Sequence, residues 1–509
     1  MTVLAPKCIP ARISGAVALT ASVLLWVGET SAATYQVGPG RTYPTIQDIQ
    51  DKLQPGDVVE VDGDATYPGG IHLRRHAQPN APIVIRGILK NNKPPVLSGG
   101  NEFTIVFHGD NYTFQTFEIT GGAEYCVVHK ANNILLSDIV VHDCPKHGIL
   151  GTDDESGSLT IEHAEVYNCG DGEKKHQLYI ATDEITHPGS VFRLQFSYIH
   201  SAKGGNNVKS RAERNEIYYN WIEGAKFHGL DLIGPDGKDA NLAREDSDVV
   251  GNVVITTSAW QIARMGGDAT GYTAGRYRLV NNTFIIGPNA SIALRMQERV
   301  DSLEMHNNVF YKLGTKEVQL LRYSDPSGPE PAIRGTNNWV SDGIVDVPDG
   351  LSATRRGDAP GFADEEKLDL NPANNSALID NGTSSTVRRD DHLRPKPLVL
   401  PVFLPPIRQR LMVGSQVART VAGAAIDIGA FESGSLSSGP PSWGGPTDPP
   451  PWGSSGTGGG TNSSGSVGDN SKNSSCVCGF SHSGSGMSSL ALLIVGLAGC
   501  ARRRKTHMA

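Results

Sequence analysis

Short apolar segments recur along the middle of the chain at successive distances of 22 to 33 residues. Each repeat holds two short apolar segments, and we mark the position of each segment by one residue. The second marker follows the first by ten residues in six of the eight repeats. The second markers are Val127, Ile149, Leu178, Val208, Leu230, Ile262, Ile292 and Val318. Because the internal offset is constant while the repeat length varies, the pattern predicts fixed strands joined by one variable loop per repeat. That arrangement is typical of an all-β parallel solenoid, in which each coil stacks its apolar side chains on the next.

Two polar residue types repeat in register with these markers. An asparagine occupies the first marker position in four repeats, at Asn220, Asn252, Asn282 and Asn308. We expect these side chains to form a ladder that hydrogen-bonds the backbone at one turn of successive coils. Cys144 and Cys169 also occupy matched positions one coil apart, which places them about 4.8 Å from each other along the stack. This spacing leaves two alternatives open for the pair, a disulfide or stacked free thiols.

The first and last parts of the repeat region resemble the pectate-lyase-like superfamily. The opening motif is Val37-Gly-Pro-Gly-Arg41-Thr-Tyr-Pro-Thr-Ile46, and the closing motifs contain Phe362, Asp380 and Asp427-Ile-Gly-Ala-Phe431. The resemblance implies a right-handed parallel β-helix over 34–345, a capping helix at about 45–53 and a C-terminal closing segment at 346–433. The alternative fold class, an all-β sandwich, predicts no fixed ten-residue offset.

Both ends of the chain have the composition of targeting segments. Lys7 and Arg12 precede an apolar stretch and the small residues Ala32 and Ala33, a pattern typical of a secretory signal peptide over 1–33. A retained membrane anchor is the alternative. Residues 434–475 are rich in Gly, Ser and Pro, which predicts a flexible linker.

The last segment, 476–509, resembles the C-terminal sorting tails of myxobacterial type. It contains Cys476 and Cys478, an apolar stretch, and then an Arg cluster at 502–504. The resemblance implies export, attachment at the cell surface or outer membrane, and a sorting protease as partner. A plain single-span anchor is the alternative and gives the same location.

Composition and charge agree with this interpretation. The chain of 509 residues contains 59 Gly and 31 Pro but only 6% aromatic residues, which suits many short strands and turns rather than a helical bundle. A net charge of −8 gives no electrostatic reason to bind nucleic acid. We expect a monomer with no nucleic-acid partner.

Polar and titratable residues concentrate around the second strand of four central repeats. Since side chains alternate along a strand, the neighbours of an inward marker are expected to face solvent. The predicted outward and flanking residues are Gln177, Tyr179, Asn207, Lys209, Arg211, Asp231, Gln261, Arg264, Arg295, His176 and His228. Two long loops adjoin this stripe, so we expect a substrate groove there. An ordinary solvated face is the alternative.

The sharpest motif in the stripe is Asn206-Asn207-Val208-Lys209-Ser210-Arg211. It resembles the Val-Lys-Ser stretch of alginate and chondroitin lyases with a β-helix fold. The resemblance implies that Lys209 is the catalytic base of a β-elimination on an acidic, uronate-containing polysaccharide. Arg211 would then supply positive charge, and neutral His176 or His228 would protonate or orient the leaving oxygen.

The chain also departs from that family. The calcium-binding acids that precede the family's Lys correspond here to Ala202 and Gly204, so Ca²⁺ is possible as a cofactor but its ligands are not matched. An acidic loop around Asp236 and Asp246 fits no metal site that we can name. Three alternatives remain: a C5-epimerase, a glycoside hydrolase, and a non-catalytic carbohydrate-binding or structural surface protein.

Overall fold

The computed structural model describes residues 32–234, 246–268, 273–325, 328–386 and 398–435. The sorting tail with Cys476 and Cys478 lies outside the described residues, as do nearly all of the predicted linker and of the signal peptide. Within the described ranges, no helix is long and apolar enough to cross a membrane.

One face of the fold is an 11-stranded parallel sheet that we call the groove sheet. Each strand pairs with the strand of the next coil. Its strands are Ile71–Leu73, Phe103–Phe107, Tyr125–His129, Ile149–Gly151, Leu178–Ala181, Val208–Arg211, Leu230–Ile233, Ala263–Gly266, Ile292–Met296, Val318–Tyr323 and Ile344–Val345. The chain is therefore an all-β parallel helix, as the repeat pattern predicts.

The other faces share a 23-stranded sheet, the long sheet, whose members also pair in parallel from coil to coil. Its strands are Thr34–Val37, Val58–Asp62, Thr66–Pro68, Ile83–Ile88, Val96–Ser98, Tyr112–Thr120, Ile134–His142, Leu159–Glu162, Glu165–Tyr167, Val191–Gln195, Tyr198–His200, Arg214–Tyr218, Trp221–Glu223, Asp246–Val250, Val253–Ile255, Arg276–Val280, Thr283–Ile286, Ser302–His306, Val309–Lys312, Ala332–Thr336, Trp339–Ser341, Leu351–Ser352 and Arg355–Gly357. Side chains from both sheets meet in one continuous buried core.

The strand register agrees with the sequence markers only as far as Leu230. Val127, Ile149, Leu178, Val208 and Leu230 pair in turn. Leu230 then pairs with Ala263 rather than Ile262, because the turn before that strand is one residue longer. A shift of one residue reverses which side chains face outward. The ten-residue offset predicts that Ala263 and Met265 face outward. In the structure Arg264 faces outward instead, beside Asp231 of the neighbouring strand.

The predicted asparagine ladder is confirmed. Asn252 Oδ1 accepts from the backbone N–H of Asn220 at 2.9 Å, and Asn282 Oδ1 accepts from the N–H of Asn252 at 3.0 Å. Asn308 continues the ladder, and Asn338 extends it by one coil beyond the prediction. All of these side chains are fully buried. The ladder thus satisfies backbone donors at a turn where neither sheet can do so.

The predicted capping helix over 45–53 is wrong in its secondary structure. The structure has only a three-residue 3-10 helix, Ile46–Asp48, followed by turns. Ile46, Ile49 and Leu53 are nevertheless fully buried in the core. Turns place the three apolar side chains over the first coil, so no further helical hydrogen bonds are needed.

The C-terminal part forms an antiparallel pair, Phe362–Asp364 with Asp369–Pro372, and then returns along the outside of the long sheet. We call residues 398–435 the return segment. Its Leu411 carbonyl accepts from His163 at 2.8 Å, and its Arg408 pairs with Glu223 at 2.9 Å. The segment therefore covers the side of several coils.

The predicted Cys144–Cys169 disulfide is wrong. Cys144 is bonded to Cys126, with 5.6 Å between their Cα atoms, and Cys169 is a buried free thiol. Cys126 belongs to the groove sheet of the same region, whereas Cys144 follows a strand of the long sheet. The bond therefore joins two faces of the solenoid, and Cys169 instead directs its thiol to the carbonyl of Tyr167 at 3.2 Å.

Candidate active site

The groove sheet carries one continuous line of outward side chains, which we call the outer row. The pairing of each strand with the next defines it. Its members are His72, Val106, Val128, Leu150, Tyr179, Lys209, Asp231, Arg264, Arg295 and Arg322. The row begins at His72, is apolar from Val106 to Leu150 and is ionic from Lys209 onward. Neighbouring members are separated by one strand spacing, about 4.8 Å.

Lys209 lies at the boundary between the two parts. Its Nζ is 4.7 Å from the ring centroid of Tyr179, in cation–π contact. Among the described residues Nζ has no hydrogen-bond or ion-pair partner. Burial lowers the pKa of Lys209; Asp231 opposes this shift, and the guanidinium of Arg211 adds to it. A lysine in this environment loses its proton more readily than a solvated one.

Asp231, the next member of the outer row, is completely buried. Arg264 Nε and Nη2 donate to its two carboxylate oxygens at 2.5 and 2.8 Å, and Asn206 Nδ2 donates at 2.8 Å. Burial raises the pKa of Asp231, but these contacts outweigh it and hold the pKa at about 2. The carboxylate is therefore a permanent anion and carries no proton to give.

Arg211 does not face the groove as predicted. Its Nη2 pairs with Asp268 at 2.6 Å, its Nη1 donates to the carbonyl of Gly234 at 2.5 Å, and its Nε donates to the hydroxyl of Tyr179 at 3.1 Å. The side chain is buried. Arg211 is therefore placed to orient Tyr179 and to add positive charge near Lys209, rather than to contact a substrate.

A second line of side chains runs just before the strands of the groove sheet. His147 Nδ1 accepts from the backbone N–H of His176 at 2.9 Å, and His176 Nδ1 accepts from that of Asn206 at 2.9 Å. Asn206 Oδ1 accepts from the N–H of His228 at 3.0 Å. Because Nδ1 accepts a hydrogen bond, His147 and His176 are neutral, with their proton on Nε2.

Burial also favours the neutral form of these histidines and of His228. It lowers the pKa of His147 to about 3, of His176 to about 2 and of His228 to about 4. His147 was not among the sequence candidates. The signal was present, since each of these four residues stands two positions before a paired strand residue, as His147 does before Ile149.

Besides the fully buried Asp231, three further predicted substrate contacts are inaccessible. Gln177 and Asn207 are fully buried, and their amides donate to the carbonyls of His200 at 2.8 Å and Glu223 at 2.7 Å. Gln261 is also buried. Each of the three precedes its strand and lies in the turn, where the alternation of strand side chains does not apply. Gln177 and Asn207 hold the turn that connects the two sheets.

An exposed aromatic residue adjoins the site and was missed from the sequence. Trp260 is 41% exposed, and its ring lies 5.1 Å from Phe227 and 5.4 Å from His228, centroid to centroid. An exposed indole held by a neighbouring ring offers a flat apolar surface on which a sugar ring can stack. Its position directly before a groove-sheet strand was the available signal.

The site does not fit a calcium ion. The positions that carry acids in the family hold Ala202 and Gly204, and the open groove of about 700 Å³ beside them is lined by Lys203 and Lys226. The described residues contain no group of three or more acidic, His or Cys side chains that could hold a metal. Asp246, from the acidic loop, is paired with Arg276. Asp236 lies outside the described residues.

The sequence matches no protein-family model and no curated protein. Among solved structures, the chain is similar to pectate lyase Pel9A, with a TM-score of 0.51 and 12% identity over 80% of this chain and 98% of that chain. It is also similar to an alginate lyase from Paenibacillus sp. str. FPU-7, with a TM-score of 0.41 and 15% identity over 64% and 99% of the two chains.

A third similar structure is the PL6 family polysaccharide lyase Pedsa3628 from Pseudopedobacter saltans, with a TM-score of 0.38 and 11% identity over 66% and 96% of the two chains. At these identities the likeness shows the fold alone. The chain has the right-handed parallel β-helix fold of the pectate-lyase-like type.

Proposed function

We propose that this protein is a polysaccharide lyase that cleaves a uronate-containing glycan by β-elimination, with Lys209 as the base. One observation carries the proposal: a half-buried lysine with a lowered pKa lies on the outer row over the ring of Tyr179 and has no ion-pair partner among the described residues. A structural lysine at this depth would be paired, because an unpaired buried charge is costly.

The proposed reaction moves two protons. The neutral amine of Lys209 takes the proton from C5 of a uronate, and the electron pair of that bond is delocalised into the C6 carboxylate. The pair then forms the C4–C5 double bond as the C4–O bond breaks, and the leaving oxygen takes a proton. Tyr179 is placed to supply it, because Arg211 Nε donates to its hydroxyl oxygen and stabilises the phenolate that results.

Charge on the substrate carboxylate must be balanced as C5 becomes acidic. Arg264 holds Asp231 through Nε and Nη2 only, so Nη1 remains for the substrate. The neutral His176 contributes an Nε2–H donor beside Tyr179, since the two rings are 5.7 Å apart. Inverting hydrolysis needs a pair of carboxyl groups. The outer row offers only Asp231, which is ionised and occupied, so the geometry disfavours the hydrolase alternative.

The test is turnover by the full-length protein on a panel of polyuronates, read as absorbance of the new C4–C5 double bond. Lys209→Ala should lower kcat by about 10²–10⁴-fold, the usual loss for a general base. Lys209→Arg should not restore it, because arginine stays protonated. The matched control is Lys93→Ala, which removes an exposed lysine that pairs with Asp64. Full kcat in Lys209→Ala would refute the assignment.

A second candidate, a carbohydrate-binding surface protein, is favoured by the exposed Trp260. If the protein only binds carbohydrate, no polymer of the panel gains a double bond, and Trp260→Ala weakens glycan binding. A C5-epimerase would also give no double bond, but it would exchange the C5 proton with deuterium from heavy water. The same panel therefore separates the three functions.

We also propose that the protein is exported and held at the cell surface through its C-terminal tail, with a processing protease as partner. The basic, apolar and small-residue segments at the N-terminus and the Cys476–Cys478 motif support this. Deleting the chain from Cys476 onward should release folded protein into the medium, and continued attachment would overturn the proposal.

A further inference from the structure

The arginines of the outer row differ in whether a carboxylate neutralises their charge. Arg264 is neutralised by Asp231. Arg295 Nε donates only to the hydroxyl of Ser324, at 3.3 Å, and Arg322 Nε donates to the side-chain carbonyl of Gln319 at 2.7 Å. Neither Arg295 nor Arg322 has a carboxylate partner among the described residues. Two consecutive guanidinium groups therefore remain without counter-charge.

The two arginines are also close to each other. They pair across adjacent strands, which places them about 4.8 Å apart along the groove. Burial and the neighbouring guanidiniums of Arg264 and Arg322 lower the pKa of Arg295. Like charges on neighbouring strands repel, and a bound anion at each step relieves the repulsion. The spacing is comparable to the length of one sugar ring in an extended polysaccharide.

The opposite side of Lys209 has no such charges in the row. Leu150, Val128 and Val106 follow Tyr179 in turn, and none of them can bind an anion. Val106 and Val128 are buried and Leu150 is partly exposed, so a sugar placed there meets the side chain of Leu150 and the aromatic ring of Tyr179. The charge within the outer row is thus asymmetric about the candidate base, and the cations Arg74 and Lys130 near its apolar end line a separate cavity together with Asp110 and Glu155.

We infer that Arg295 and Arg322 are specificity-determining residues that require two consecutive anionic sugars on one side of Lys209, while neutral sugars are accepted on the Leu150 side. The inference rests on the proposed function for the position of the cleaved bond, but the charge requirement is a property of binding alone. The planar guanidinium fork suits a carboxylate, which it can bind through two hydrogen bonds.

The test uses hexauronates of galacturonate and mannuronate and two half-reduced forms, in which the carboxyl groups of either the reducing or the non-reducing half are converted to alcohols. Binding is measured calorimetrically with the full-length Lys209→Ala protein, so that no turnover occurs. One half-reduced form should bind nearly as well as the full uronate, and the other should bind roughly 100-fold more weakly.

Arg295→Gln and Arg322→Gln in the same background should each weaken binding of the full uronate by roughly tenfold and remove the preference between the half-reduced forms. Lys316→Gln, which removes an exposed lysine outside the row, is the matched control. Equal binding of both half-reduced forms, or a preference that survives in the double variant, would overturn the inference.

Failure of the lyase proposal looks different. In that case the wild-type protein cleaves no uronate, yet the binding asymmetry and its loss in the arginine variants persist. Conversely, cleavage that depends on Lys209 without any binding asymmetry refutes only the inference about Arg295 and Arg322.

Discussion

Two charged ladders run along this solenoid, one on the long sheet and one on the groove sheet, and they differ in how their charges are balanced. On the long sheet, Asp248 accepts from Arg278 at 2.6 Å and from Arg214 at 2.7 Å, and all three side chains are buried. Arg193 pairs with Glu216 in the same ladder. In register the order is Arg193, Glu216, Asp248 and Arg278, so two anions are adjacent. Arg214 donates to both of these carboxylates, so each charge in the ladder has a partner of opposite sign.

On the groove sheet the order of signs is different. Lys209, Asp231, Arg264, Arg295 and Arg322 follow one another, four cations to one anion. The outer face of the long sheet is covered in places by the return segment, where Leu398 packs with Val250 and Val280. The number of charged residues does not distinguish the two ladders. Pairing does: a ladder whose cations all have anionic partners stabilises the fold, whereas a ladder with unpaired cations can bind an anionic ligand.

The largest expected effect is a loss of stability when a substitution breaks the long-sheet ladder. Arg278→Met leaves the fully buried Asp248 with one cation fewer and should lower the free energy of unfolding by about 3–5 kcal/mol. Lys209→Met, on the groove sheet, should change it by about 1 kcal/mol at most, because no ion pair is lost and only the cation–π contact with Tyr179 disappears. Urea denaturation at neutral pH measures both. Equal losses in the two variants would contradict the comparison.

The second effect concerns the neutral histidines beside the groove sheet. The pKa of His176 is about 2 in the folded protein against the ordinary 6.5. Below pH 6.5 the unfolded chain takes up a proton that the folded protein does not, so stability falls as pH falls. The slope is about 1.4 kcal/mol per pH unit from this residue.

His176→Asn should remove that contribution and flatten the stability curve between pH 6 and 4. The substitution keeps an acceptor for the backbone N–H of Asn206, as Asn206 itself already provides one for His228. Stability at pH 7 should therefore change little. Denaturation curves at several pH values measure the slope, and an unchanged slope in the variant would show that His176 does not resist protonation.

Much of the fold was predictable from sequence because inward side chains and ladders leave periodic marks. The paired register through Leu230 and the asparagine ladder both follow from spacing alone. The register after Leu230 was not predictable, since one extra turn residue before Ala263 leaves the apolar pattern almost unchanged. That residue decides that Arg264 faces outward.

The candidate site was predictable only in part, for two physical reasons. Lys209 and Tyr179 lie in strands, where alternation holds, and both face outward. Gln177 and Asn207 lie in turns, where backbone carbonyls without partners draw the amides inward. The cysteines show the same limit, because a matched position predicts Cα proximity but not the direction of the thiol.

The smallest expected effect sharpens the comparison at Lys209 itself. Arg264→Gln removes the cation that neutralises Asp231, so the carboxylate then faces Lys209 and favours its charged form. The pKa of Lys209 should rise from its lowered position. The rate of Lys209 acetylation by an N-hydroxysuccinimide ester, followed by peptide mass spectrometry from pH 7 to 10, reports the neutral amine directly. Relative to the exposed Lys316 in the same digest, Lys209 should be modified faster in the wild type and severalfold more slowly in the variant. Identical profiles in both proteins would mean that Asp231 and Arg264 do not set the protonation of Lys209, and the lowered pKa would then have to arise from burial and Arg211 alone.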